Sequence, residues 1–193
     1  PGRAYLPVAM KRVCKPSERP KEIVLAIDTS MSMLEESSGI RKLDAAKAAA
    51  KRFIRVMDLA KDIVSIVSFN SHSERVAGGG GGDAQHARDV LDAAIDGLAT
   101  APGTRIDRVV HAVVTDGFSG EGGLRGQSLI LLTDGLSDPD TDIGATLVDA
   151  ESARARGIHI YTIGLGDTID EPLLTALADP GGFHRAAEAS ALA

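Results

Sequence analysis

The sequence predicts an α/β fold, a doubly wound, mostly parallel six-stranded sheet with helices on both faces, and three observations carry that expectation. Two short apolar runs, Ile23–Ile27 and Leu129–Leu132, are uninterrupted by polar positions, which suits strands buried on both faces of a parallel sheet. Around them, segments with apolar residues at three- and four-residue spacing alternate with further β-branched runs, the order that winds such a sheet. Both central runs lead to an aspartate, Asp28 and Asp134, at the carboxyl end of the strand, where open α/β sheets bind ligands.

Residues 1–20 hold Pro7, Pro16 and Pro20 and no sustained period, and read as a lead-in arm whose Tyr5-Leu6 and Val8–Met10 pack on the sheet edge; residues 21–193 form the domain. After the first strand, Leu43, Ala46, Ala50, Phe53, Ile54 and Met57 mark an amphipathic helix over about 40–59. Asp62–Phe69 is a second strand, and Glu74–Ala77 an edge strand joined to it by the Asn70-Ser-His turn. Gly78–Gly82 is an unbroken glycine run that strand and helix interiors avoid. It lacks the Gly-Lys-Ser/Thr ending of a phosphate cradle, so a flexible loop is predicted.

Asp83 can cap a helix whose buried stripe is Ala87, Val90, Leu91, Ala94, Ile95 and Leu98. Ala101-Pro-Gly-Thr104 makes a sharp turn, and a helix over Arg105–Val114 opens at Thr104. A glycine-rich connector, 117–126, leads into the strand that ends at Asp134. Ile143–Arg156 is helical with Gly157 as its stop, Ile158–Ile163 is a strand, and Glu171-Pro172 starts a short helix. Gly182–Ala186 is a last edge strand, and helical character begins again at Glu188.

At 193 residues the chain can bury a full core without disulfides or metal staples, and its single Cys14 reads as an inert thiol. Beginning at Pro1, it reads as a piece of a longer protein; with no signal peptide and no apolar run of about 18 residues, this piece is expected neither to span nor to enter a membrane by itself. The net charge of −6 divides into +4 over residues 1–22 (six basic against two acidic side chains) and −10 over the rest of the chain, the body. An acidic body argues against nucleic acid, whose binding rests on neutralising phosphates. Aromatic residues make up 3%, with no Trp, which argues against a stacking platform for bases.

Asp28, Ser30 and Ser32 stand at alternate positions after the first strand and offer only oxygen donors, with no His or Cys nearby, which points to a hard cation such as Mg2+. Gly103-Thr104 at a helix start and Leu131-Leu-Thr-Asp134-Gly135 after a later strand complete a three-part pattern. In the order and context of these pieces the chain resembles the von Willebrand factor A domain family over roughly residues 21–187. The metal-ion-dependent adhesion site of that family is built from Asp-x-Ser-x-Ser, a distant Thr and a distant Asp.

The resemblance implies a Rossmann-like fold and a Mg2+ site, with Mn2+ or Ca2+ as substitutes. Ser30 and Ser32 would be direct ligands, Thr104 direct or through water, and Asp28 and Asp134 direct or through bridging waters. One position is left for a Glu or Asp carboxylate of a partner protein. Met31 stands where the family often has Gly, and would shape an apolar rim. Without a cation, two carboxylates about 4 Å apart would repel by ~4 kcal/mol at an effective dielectric near 20, so converging Asp28 and Asp134 calls for a metal. Val113-Val-Thr-Asp116-Gly117 copies the second aspartate's pattern, but Asp116 falls at the end of a predicted helix and Asp134 at the end of a strand. Glu35 and Glu36 occupy the place of an acidic pair that serves a neighbouring calcium in the integrin β branch; they read as acidic residues favouring a helix start.

Enzyme readings fall short. Asp28-Thr-Ser-Met resembles the haloacid dehalogenase phosphotransferases in placing an Asp after a first strand, but their second Asp, the general acid and base, is here Ser30. Gly117-Phe-Ser119-Gly-Glu121 misses the last glycine of a nucleophile elbow, Gly164-Leu-Gly166 lacks the third glycine of a dinucleotide loop, and the five histidines have no zinc-site spacing. A non-catalytic, metal-dependent adhesion or interaction module is expected, with an extracellular or cell-surface setting favoured. The alternative is a regulatory or scaffold domain of an intracellular metal-chelatase or AAA+-type assembly.

Overall fold

The structure, a computed structural model, describes residues 19–37, 39–119 and 124–186. The arm's packing segments, the middle of the glycine-rich connector and the helical character from Glu188 lie outside the described residues.

Strand β1 (Lys21–Asp28) is central, hydrogen-bonded in parallel to β4 (Ile63–Phe69) on one side and β6 (Gly126–Thr133) on the other. The sheet has six strands in the order β5-β4-β1-β6-β7-β8. β7 (Ile158–Leu165) and β8 (Phe183–Ala186) continue it in parallel, and β5 (Ser73–Gly80) is the one antiparallel edge. Successive residues of β1 feed opposite cores, which explains why its apolar run has no gaps. Val24 and Ala26 pack with α3 (Ile106–Asp116), α4 (Ile143–Ala155) and α5 (Glu171–Leu177). Ile23, Leu25 and Ile27 pack with α1 (Lys42–Val56) and α2 (Ala84–Asp96). The chain leaves β1 towards β4 over one face and later reaches β6 over the other, so the sheet changes winding direction beside the carboxyl end of β1.

Several expectations need correction. The glycine run is not a loop throughout: Gly78, Gly79 and Gly80 extend β5 and pair with Ser65, Val64 and Ile63. Close approach explains the glycines, since a Cβ on Gly79 would lie 3.0 Å from Ala87 Cβ on α2. One on Gly80, at φ +124°, would lie 2.0 Å from the Asp62 carbonyl oxygen. The helix after the first strand begins at Lys42 rather than about residue 40, because the preceding segment is folded otherwise. It makes a 3-10 turn (Met31–Leu34) and a two-stranded hairpin, β2 (Glu36–Ser37) with β3 (Ile40–Arg41). Thr104 does not open a helix directly: α3 starts at Ile106 with Arg105 at its N-cap.

Asp83 caps α2 as expected, accepting from the Gln85 and His86 amides at 3.1 and 3.0 Å. Among the described residues no helix is long and apolar enough to cross a membrane.

Candidate metal centre

Asp28, the last residue of β1, is fully buried and held on both carboxylate oxygens. Oδ1 accepts from the Ser30 amide at 2.7 Å, and Oδ2 accepts from Thr133 Oγ1 at 2.5 Å. Burial dominates its acidity and raises the pKa from 3.8 to about 6; the hydrogen bonds from Thr133 and Ser30 work against the rise, and the charge of Asp134 adds to it. A carboxyl in this setting favours a positive charge beside it.

Ser30 is buried at the N-cap of the 3-10 turn, and that turn brings Ser32 back beside it, the two hydroxyl oxygens 2.9 Å apart. Ser32 Oγ donates to Asp134 Oδ1 at 2.8 Å across 102 residues of sequence. With that proton committed, Ser30 must be the donor in the serine pair, giving a chain from Ser30 through Ser32 to Asp134. Asp134 follows β6, and the register that sets Ile27 opposite Leu132 carries Asp134 just beyond the end of β1. Asp116 sits at the far end of α3, about 16 Å along an axis that starts next to Thr104, at 1.5 Å per residue.

Thr104 is brought in by a loop docked on the ends of β1 and β4. The Ala101 amide donates to the Thr29 carbonyl at 2.8 Å, Ser71 to Pro102 at 3.1 Å and Arg105 to Asn70 at 2.9 Å. Gly103 at φ +93° makes the turn possible, as a Cβ there would lie 2.8 Å from Ser71 Cβ. A methyl group placed on Gly135 would stand 3.7 Å from Ser32 Oγ and 3.9 Å from Thr104 Oγ1, which together cap the separation of these hydroxyls at 7.6 Å. Gly135 thus leaves open a small cradle between them. Asp28, Ser30, Ser32, Thr104 and Asp134 all meet at this rim of the sheet.

Two contributors were not singled out from the sequence. Thr133 fixes Asp28, and the Thr-Asp-Gly pattern contained that signal. Lys42, the first residue of α1, places Nζ 2.8 Å from Asp134 Oδ2 and 2.8 Å from Glu35 Oε2. Burial opposes its charge, but the hydrogen bonds to Asp134 and Glu35 prevail and raise its pKa. Glu35 therefore faces an ammonium group as well as preceding a helix.

Among the described residues no three His, Cys, Asp or Glu side chains form a metal cluster. The convergence instead supplies two carboxylates and three neutral hydroxyls, oxygen donors suited to Mg2+ or Mn2+, with one carboxylate, Asp134, already facing the Lys42 ammonium.

Solved structures share this architecture at low sequence identity. Proximal thread matrix protein 1 from the mussel byssus, solved with a zinc-occupied MIDAS motif, superposes with a TM-score of 0.74 at 17% identity over 89% of this chain and 43% of that one. A von Willebrand factor type A protein from Catenulispora acidiphila gives 0.73 at 19% identity, covering 90% of this chain and 40% of that one. BatB from Bacteroides thetaiotaomicron gives 0.69 at 21% identity, over 89% and 93%. The chain spans less than half the length of the first two. No curated protein sequence matches significantly. The model of the von Willebrand factor type A domain matches residues 22–192, taking in both central strands and all five converging residues, and the chain belongs to that family.

Proposed function

We propose that the chain is a non-catalytic protein-binding module whose Mg2+ takes a Glu or Asp carboxylate from a partner protein. Ser30, Ser32 and Thr104 would hold the ion with their hydroxyls, and Asp28 and Asp134 directly or through water. Bound there, the ion supplies a Lewis-acidic position that neutral hydroxyls leave short of negative charge, and an incoming carboxylate meets that need. The observation that carries the reading is the linked chain Ser30, Ser32, Asp134 with Thr104 facing it across Gly135. The zinc at the MIDAS motif of the mussel protein supports a divalent ion in this fold. Met31, 50% exposed between the two serines, and Leu136, 58% exposed after Gly135, offer apolar contact beside the carboxylate's landing point.

Titration calorimetry tests the metal: Mg2+ or Mn2+ should bind the wild type and fail to bind Asp134→Ala. Affinity capture with Mg2+ present, eluted with EDTA, tests the partner. A wild type that binds neither ion overturns the reading. Phosphate-ester hydrolysis that Asp28→Asn abolishes would overturn its non-catalytic part.

A further inference from the structure

We propose that Lys42 is a tethered cation that holds Asp134 in place before a divalent ion arrives and weakens the centre's affinity for that ion. The inference rests on the metal-binding reading above.

The carboxylate of Asp134 is shared between two partners of different kind. Oδ1 accepts from the Ser32 hydroxyl at 2.8 Å, on the side of the cradle, and Oδ2 accepts from the Lys42 ammonium at 2.8 Å. This is an interior pair, with Asp134 1% and Lys42 9% exposed. The lysine is held at both ends. Its backbone amide donates to the Glu35 carbonyl at 3.0 Å, and its Nζ donates to Glu35 Oε2 at 2.8 Å. Along its stem, a methyl on Gly166, beyond β7, would lie 3.8 Å from Lys42 Cε. Loops after β1, β6 and β7 therefore fix where this charge sits.

Two consequences come from that placement. In the metal-free protein the ammonium compensates a buried carboxylate that would otherwise add to the repulsion of Asp28, so the centre stays assembled. When a divalent ion binds on the Ser32 side, a fixed positive charge already stands on the other oxygen of the same carboxylate. Like charges at such range repel appreciably in a poorly solvated site, and part of Asp134's negative charge is already engaged. The lysine thus exchanges ion affinity for a preformed site. An ordinary supporting residue would act the other way, since losing an outer-shell partner usually weakens metal binding ten- to hundred-fold. The sign of the effect separates the two roles.

The test is Mn2+ calorimetry and thermal unfolding in EDTA on the whole chain, for wild type, K42M and K42R. K42M keeps the length of the stem without its charge and should bind Mn2+ at least ten-fold tighter while melting several degrees lower in EDTA. K42R keeps the charge and should not show the ten-fold gain in Mn2+ affinity, even though its planar fork differs in shape from the ammonium. Equal or weaker Mn2+ binding by folded K42M overturns the proposal while leaving the metal site intact; no binding by the wild type overturns the underlying reading and the proposal with it. If K42M does not fold without metal, E35Q and E36Q decide. E35Q frees the ammonium for Asp134 alone and should weaken Mn2+ binding several-fold more than E36Q, which removes the same charge from the neighbouring residue. Equal effects of the two overturn the proposal.

Discussion

Replacing Asp28 by Asn should make the metal-free protein more stable at neutral pH while destroying its response to metal. Asp28 is fully buried, and its pKa stands at about 6 against an ordinary 3.8. Between those values the native state binds more protons at this group than the unfolded chain does. Stability from this group therefore falls as pH rises through the window, and the full penalty applies above about pH 6. A difference of about 2 pK units amounts to roughly 3 kcal/mol at 1.36 kcal/mol per unit.

An asparagine carries no charge to bury. Its Oδ1 can keep the Ser30 amide, and its NH2 can donate to Thr133 Oγ1, so the two hydrogen bonds survive in altered form. Allowing about 1 kcal/mol for the exchange of charged for neutral bonds leaves a net gain near 2 kcal/mol at pH 7. For a chain of this size that is a rise in Tm of roughly 4–8 °C. The assay is thermal and urea unfolding in EDTA at steps from pH 4 to pH 8. Comparing D28N with wild type at each pH cancels the titration of groups that do not interact with Asp28. The difference should be lowest near pH 4 and grow to its full value by pH 7. In Mg2+ the order should reverse or close, since only the wild type gains from the ion. A variant less stable than wild type in EDTA at pH 7.5, or a difference that does not change with pH, would refute this account of Asp28.

Gly135→Ala should fold nearly as well as wild type, its methyl making ordinary contacts at 3.7 and 3.9 Å, yet lose Mn2+ affinity by about ten-fold or more in calorimetry because the cradle is filled. Gly79→Ala should lose about 1–3 kcal/mol in urea unfolding, because its Cβ meets Ala87 Cβ at 3.0 Å and α2 must move off the edge strand. Asp116→Asn should leave Mn2+ affinity unchanged, for Asp116 ends α3 away from the converging residues; a ten-fold loss would place the second carboxylate wrongly.

Much of the fold was readable because burial on two faces leaves a mark in one segment. Ile23–Ile27 and Leu129–Leu132 show no alternation because consecutive side chains enter different cores, so their central places could be named in advance. Asp28, Ser30 and Ser32 were legible for a similar reason, since one turn carries all three. Asp83 announced its helix through a cap that needs only its own neighbours. The glycine run was misjudged because its reason lies elsewhere in the chain. Nothing within Gly78–Gly80 shows that Ala87 and the Asp62 carbonyl will press against it.

Local chemistry, then, was enough to place the six strands of the main sheet, though not the full length of β5, most helices and the oxygen-donor turn after β1. Folding in three dimensions decided which distant groups share that turn's surroundings. The parallel register of β1 with β6 delivers Asp134 to Ser32, the loop docked on Asn70 and Thr29 delivers Thr104, and the 3-10 turn and hairpin before α1 deliver Lys42 to Asp134 across 92 residues. Such pairings depend on how strands align and how loops pack. A hydrogen bond between remote side chains is set by those placements and leaves no periodic trace in either segment.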